Sequence, residues 1–236
     1  MSRTAIDCGT EGIRGAVVVM AKAPREGFVK TRLTGAYPPH DIARLSDCML
    51  GDTLALVQGL SRVHAAVMCP PQDVADIEAR LPAGVQVIGQ PGDGLAAALG
   101  SAFEHFVPDF RRVVAVDSDS PHLPLEILQA AFELLETNDL VVGPTEDGGY
   151  YLVGASATHP RLFDPAPLGT RNARDALLES ARARGLSVAF TAPWYDVDVP
   201  ADLRRLAAEL RIDPSRAPRT AALLASWDAH DEELAG

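Results

Sequence analysis

Two lysines occur in the whole chain, Lys22 and Lys30, and both fall in one stretch, GAVVVMAKAPREGFVKTRL, residues 15–33. Arg25 and Arg32 share it, against a single acid, Glu26. Ammonium groups on flexible stems, combined with backbone N–H donors of a Pro- and Gly-containing loop, suit the grip of a polyanion such as a phosphate chain. A second set of residues is acidic. Asp117 and Asp119 stand in VDSDSP, and Asp196 and Asp198 in WYDVDVPADL. A hard divalent cation takes a few carboxylate oxygens and completes its shell with substrate phosphate and water, and Asp-x-Asp at the end of an extended segment supplies that arrangement. Both pairs also have a plain alternative. Asp119 suits a turn ahead of Pro121, and an acid ahead of Pro200 is an ordinary helix-start signal.

Other loops carry weaker chemistry. Lys30-Thr31 superficially resembles a P-loop, but that motif needs Gly immediately before the Lys, where Val29 stands. The G-x-G-x-x-G dinucleotide fingerprint is absent from the same turn, so both nucleotide-binding classes are disfavoured. Glu146-Asp147-Gly148-Gly149 lies between two apolar runs and reads as a hairpin turn. Its paired glycines also let a ligand approach bare backbone. Thr170-Arg171-Asn172 opens a predicted helix, where N–H groups and Arg171 suit an anionic acceptor. The six histidines show no ligand spacing; His122 is read as structural, and no Ser/His/Asp or Cys/His arrangement can be argued.

These loops need a frame to hold them together. Short β-branched runs predict strands at residues 16–20, 64–68, 85–88, 112–116, 140–143, 150–154 and 187–190. Helical spacing of apolar residues predicts helices at 40–60, 74–81, 95–106, 125–136, 172–184 and 201–210, with one more around 220–229. Such alternation implies an α/β fold with one mixed, mostly parallel sheet flanked by helices. Ligands of these sheets sit outside the carboxyl ends of the strands, where the basic loop and the first acidic pair both emerge. The expected division is a leader at 1–14, one α/β domain at 15–212 and a helical tail at 213–236.

The totals narrow the partners. A net charge of −11 over 236 residues would repel nucleic acid and anionic membranes, so neither is expected as a partner. An anionic substrate then needs a local remedy, a basic loop or a bound cation. Cys8, Cys48 and Cys69 show no metal-type spacing and fit a reduced compartment without disulfides. The first residues contain no apolar signal core, and no apolar run reaches membrane length, so a soluble cytoplasmic protein is expected.

Four ordered motifs, AKAPREGFVKTRL, VDSDSPHLP, VVGPTEDGGYYLVG and WYDVDVPADL, resemble the bacterial glycosyltransferase-like family of the nucleotide-diphospho-sugar transferase superfamily, over about residues 16–206. The Lys-Thr-Arg-Leu segment and the later Met-Leu-Gly-Asp-Thr-Leu also resemble the 2-phospholactate guanylyltransferases and, more distantly, the molybdenum-cofactor guanylyltransferases. The resemblance implies a single-domain GT-A fold with a nucleotide over the strand ends and a Mg²⁺ or Mn²⁺ cofactor. By position, Asp119 is similar to the metal-binding Asp of those enzymes and Asp198 resembles the second ligand, with Asp117 beside them. Lys30 and Arg32 fall where the nucleotidyl transferases keep phosphate-binding basic residues. The first loop departs from many of them in lacking a Gly-x-Gly run.

Fold and metal are common to nucleotidyl and glycosyl transfer, so the fold cannot decide between them and the loop decides in part. Expelling pyrophosphate from an NTP calls for cations besides the metal, and Lys30 and Arg32, helped by Lys22 and Arg25, are suited to it. The expected reaction is nucleotidyl transfer to a small phosphorylated or phosphonate acceptor, with catalysis by Lys30, Arg32 and Asp119. Glycosyl transfer from a nucleotide sugar and a non-catalytic nucleotide-binding protein stand as alternatives. The nucleotide is assigned to Ala21, Lys22, Ala23, Lys30, Arg32 and Gly94. The acceptor is assigned to Glu146, Asp147, Gly148, Gly149, Thr170 and Arg171, and a homodimer is allowed for.

Overall fold

The computed structural model describes residues 15–82, 84–92, 94–164 and 172–235, with side chains as far as 227. Its frame is a seven-stranded sheet built from β1 (Gly15–Met20), β2 (Val63–Cys69), β3 (Gln86–Gly89), β4 (Val113–Asp117), β5 (Leu140–Pro144), β6 (Tyr150–Ala155) and β7 (Val188–Phe190). The order across the sheet is β3-β2-β1-β4-β6-β5-β7. Each strand expected from the apolar runs is present to within one residue at either end. β6 alone is antiparallel to its neighbours, β4 and β5. The hairpin turn after β5 returns the chain between β5 and β4, which leaves β5 and β7 running with the parallel set.

Side chains of β1 alternate between the two faces. Ala16, Val18 and Met20 join one apolar cluster, under α3 (Leu95–Phe106) and α5 (Ala173–Ala183). Val17 and Val19 join the other, with α1 (Pro39–Gln58), α2 (Val74–Glu78) and α4 (Leu125–Leu134). A strand covered on both faces must be apolar on both, and all six β1 residues are buried. The short α2 stops at Glu78 rather than continuing to residue 81; Pro82 disfavours helical backbone at the residue before it.

A third apolar cluster stands off the sheet. It joins Val29 and Leu33, from the loop after β1, to Tyr195 and Val197, with residues of α1, α6 (Pro200–Ile212) and α7 (Pro218–Ala235). The buried Asp52 of α1 ties α7 in, accepting hydrogen bonds from Arg219 N (3.0 Å), Thr220 N (2.8 Å) and Thr220 Oγ1 (2.7 Å). Such a side chain satisfies the first N–H groups of a helix, which have no partner within it. Among the described residues no helix is long and apolar enough to cross a membrane.

Candidate active site

The loop after β1 is fixed in two halves. In the first, Ala21 N donates to Met68 O (3.1 Å) and Ala23 N to Asp73 Oδ2 (2.9 Å). Arg25 binds Asp73, Asp76 Oδ2 (2.9 Å) and Gln72 O (3.0 Å), so its guanidinium ties the loop to the segment after β2. In the second half Val29 and Leu33 are buried in the third cluster, and the chain between them forms a 3-10 turn, Thr31–Leu33. Lys30 enters that turn with left-handed backbone, φ 44° and ψ 45°. Such a conformation is uncommon for a residue with a Cβ.

The acidic segments are joined to each other by main chain and side chain. Asp117 ends β4, and its Oδ1 accepts from Asp119 N at 2.9 Å. Val197 N donates to Asp119 O at 2.9 Å. Ser120 Oγ lies 2.9 Å from Tyr195 O and 3.0 Å from Asp196 Oδ1. Asp202, in the first turn of α6, accepts from Asp198 N (3.1 Å) and Val199 N (2.9 Å) and so fixes the backbone at Asp198. Because Val197 points into the apolar cluster, its neighbours Asp196 and Asp198 are turned away from it, toward Asp119.

The two halves meet at Lys30. Its Nζ lies 2.7 Å from Asp119 Oδ1 and 3.4 Å from Asp198 Oδ1, and Arg32 Nη1 lies 3.4 Å from Asp198 Oδ2. Only 5% of the Lys30 side chain is exposed, against 64% for Arg32. These groups line a cavity of about 610 Å³ over the carboxyl ends of the central strands. Pro70, Gln72, Gln90 and Gly94 lie along it as well, and Phe28 and Leu95 bring exposed apolar surface to it. Gly94 precedes α3 with φ 89°, a conformation that favours glycine.

The electrostatics follow from this crowding. Burial lowers the Lys30 pKa, but Asp119, Asp198 and Asp117 outweigh it, and the net shift is upward. Burial, then the charges of Asp196 and Asp119, hold Asp117 well above the usual carboxylate range. Asp196 is pushed up to about 7, first by burial and then by Asp119. A hydroxyl has one proton, and that of Ser120 is shared between the two acceptors, Tyr195 O and Asp196. The bond to Asp196 draws that pKa downward against burial and Asp119.

Of the residues singled out in the sequence, Ala21, Lys22, Lys30, Arg32, Gly94, Asp117, Asp119 and Asp198 line the cavity. Ala23 is not part of its lining. Glu146 to Gly149 form the tight turn between β5 and β6 and are not part of the cavity lining. There Asp147 Oδ1 accepts from Thr145 Oγ1 (2.6 Å) and Gly149 N (3.2 Å), and Glu146 pairs with Arg205 at 3.2 Å. Arg205 in turn lies 3.7 Å over the Tyr195 ring. Thr170 and Arg171 lie outside the described residues. Asp196 was visible in the sequence only as half of a pair; its burial and its contact with Ser120 depend on a segment 76 positions away.

Two carboxylates turned toward one ammonium also form a donor set that fits a hard divalent cation. Among the described residues no group of three or more His, Cys, Asp or Glu could hold such an ion. A cation here would draw on Asp119 and Asp198, and on phosphate and water for the remainder of its shell.

Comparison with known proteins identifies the family and the fold. Residues 53–170 match the family model described as "Uncharacterized protein conserved in bacteria (DUF2064)". The 3-phospho-D-glycerate guanylyltransferase of Phenylobacterium zucineum is 32% identical over 73% of this chain and 81% of its own length. The 2-phospho-L-lactate guanylyltransferase of Methanothermobacter thermautotrophicus is 28% identical over 74% of this chain and 76% of its own. A crystal structure from Desulfovibrio desulfuricans G20, described as a nucleotide-diphospho-sugar transferase, superposes with a TM-score of 0.84 at 29% identity, covering 91% of this chain and 95% of that one. The chain therefore belongs to the DUF2064 family, on the fold of the nucleotide-diphospho-sugar transferases.

Proposed function

We propose that the protein is a metal-dependent nucleotidyltransferase that joins the nucleoside monophosphate part of an NTP to a small phosphorylated acid and releases pyrophosphate. The observation that carries the reading is the convergence of Lys30 and Arg32 on Asp119 and Asp198 in one cavity that Lys22 also lines. A site for a nucleotide sugar needs fewer cations, because its leaving group carries less charge. Both guanylyltransferase relatives are named for small phosphorylated acids, which supports GTP as donor and an acceptor of that class.

In this reading a phosphate oxygen of the acceptor attacks the α-phosphorus, and the bond from that phosphorus to the β-bridging oxygen breaks. The nucleophile is already an oxyanion, so no residue has to remove a proton. Lys30, Arg32 and Lys22 hold the phosphates and offset the charge that grows on the leaving pyrophosphate. Asp119 and Asp198 would hold Mg²⁺ or Mn²⁺, which when bound polarises phosphate oxygens as a Lewis acid. Asp117 anchors the Asp119 backbone, and Ser120 and Val197 keep the two acidic segments in register. The rate gain is then positioning plus preorganised charge.

Incubation with Mg²⁺, each NTP in turn and either 2-phospholactate or 3-phosphoglycerate should release pyrophosphate only when both substrates are present. Release of a nucleoside diphosphate from a nucleotide sugar, with no pyrophosphate from any NTP, would instead establish glycosyl transfer.

A further inference from the structure

The nucleotidyl-transfer reading asks Lys30 to meet phosphate, yet its ammonium already has partners. Nζ contacts one oxygen of Asp119 at 2.7 Å and one of Asp198 at 3.4 Å, with the side chain nearly all buried. The same two carboxylates are the ones suited to a divalent cation. An ammonium and a divalent cation cannot share them at close range without like-charge repulsion. The backbone at Lys30 has little freedom to resolve the conflict. It is pinned by buried Val29 and Leu33 and by the bond from Leu33 N to Lys30 O at 2.9 Å. The side chain, with its four-carbon stem, can move where the backbone cannot. The cavity it borders also holds the exposed Arg32 and Lys22, so a phosphate chain bound there lies within the same basic wall.

Resting on that reading, we propose that Lys30 is the resident counter-ion of the Asp119–Asp198 pair and is handed over to the phosphates of the incoming nucleotide, so that metal and nucleotide bind cooperatively and metal alone binds weakly. By linkage, whatever factor nucleotide adds to metal affinity, metal adds to nucleotide affinity. Lys30 thereby does two things in sequence. It neutralises Asp119 and shares Asp198 with Arg32, and it later neutralises the leaving group. Arg32 does not replace it, because its contact with Asp198 is made at 3.4 Å from a largely exposed side chain.

The direct test titrates the protein with Mn²⁺ alone, reading free ion by electron paramagnetic resonance, for the unaltered chain and for Lys30→Met. The variant should bind Mn²⁺ tighter by roughly 5–150-fold, the usual range of a coupling between sites. Adding Asp198→Asn to Lys30→Met should remove the gain. Equal Mn²⁺ affinity with and without the ammonium would overturn the handover while leaving the metal-site reading intact. No Mn²⁺ binding by either protein, even with GTP present, would overturn both.

A second readout needs no substitution. The chain has two lysines, so acylation by an N-hydroxysuccinimide ester, mapped by peptide mass spectrometry, compares Lys30 with Lys22 as an internal control. Saturating Mn²⁺ should raise Lys30 labelling several-fold with Lys22 unchanged. Unaltered Lys30 labelling at saturating Mn²⁺ would contradict the proposal even if Lys30→Met fails to fold.

Discussion

Asp198 follows Lys30 by 168 positions in sequence, yet its Oδ1 lies 3.4 Å from the Lys30 ammonium. The contact is made by the third apolar cluster, in which Val29 and Leu33 on one side and Val197 on the other are buried together. Charged residues next to buried ones are carried to the edge of that cluster and left facing one another.

Leu33→Ala should therefore affect both stability and binding. Removing a fully buried leucine costs about 2–5 kcal/mol, measurable by urea denaturation. It should also weaken nucleotide binding by loosening Lys30 and Arg32. Leu177→Ala serves as the control: Leu177 is equally buried, but on α5 in a cluster against the sheet. Similar nucleotide affinity in the two variants would show that the third cluster does not position the site.

Lys30→Met and Asp119→Asn should each lower turnover on the order of 10²–10³-fold, the usual cost of removing one preorganised charge. Far-UV circular dichroism should stay unchanged, since the sheet does not depend on either side chain. Near-normal kcat in either variant would remove that residue from the mechanism.

The basic residues of the first loop divide into two kinds. Arg25 is held by Asp73 and Asp76, whereas Arg32 faces the cavity. Arg25→Met should leave kcat within a few-fold of normal and destabilise the fold by more than the ~1 kcal/mol of an exposed pair, since Asp73 is buried. Arg32→Met should lower kcat/KM for the NTP with little change in stability. Reversed effects would mean that the assignments are exchanged.

His122 provides a pH test. It is fully buried against Trp194 and Tyr195, and burial, then Arg216 and Arg205, lower its pKa from 6.5 to about 3. The folded state thus resists a proton that the unfolded chain accepts. This contribution to stability is complete above about pH 6.5 and is lost as the pH falls toward 3, at up to about 1.4 kcal/mol per pH unit. His122→Phe should flatten the decline in Tm between pH 7 and 4.5 relative to the unaltered protein. Parallel Tm profiles would show that His122 does not govern this range.

Much of this arrangement was legible in the sequence because local signals agreed with one another. The β-branched run of β1, the Asp-Gly hairpin before β6, the lysines confined to one loop and the two Asp-x-Asp segments all lie in windows of a few residues. What could not be read depended on partners far along the chain. Arg25 looked like a phosphate ligand until Asp73 and Asp76 folded beside it, and Ala23 N–H looked available until Asp73 took it. Glu146 is engaged by Arg205 of α6. Asp196 differs from Asp198 only in its surroundings, one bound to Ser120 and the other facing Lys30. Those surroundings are set by packing, which the spacing of two acids does not encode.

In the proposed reaction an NTP is cleaved between its α- and β-phosphorus, and the α-phosphorus ends on the acceptor phosphate. Phosphorus-31 NMR of a reaction with GTP, Mg²⁺ and a phosphorylated hydroxy acid tests it most directly. The predicted result is a new pair of coupled pyrophosphate-diester resonances, appearing together with free pyrophosphate, and absent with Lys30→Met. Persistence of the acceptor's phosphomonoester resonance while the GTP signals remain, or a spectrum showing only hydrolysis of GTP, would contradict the account.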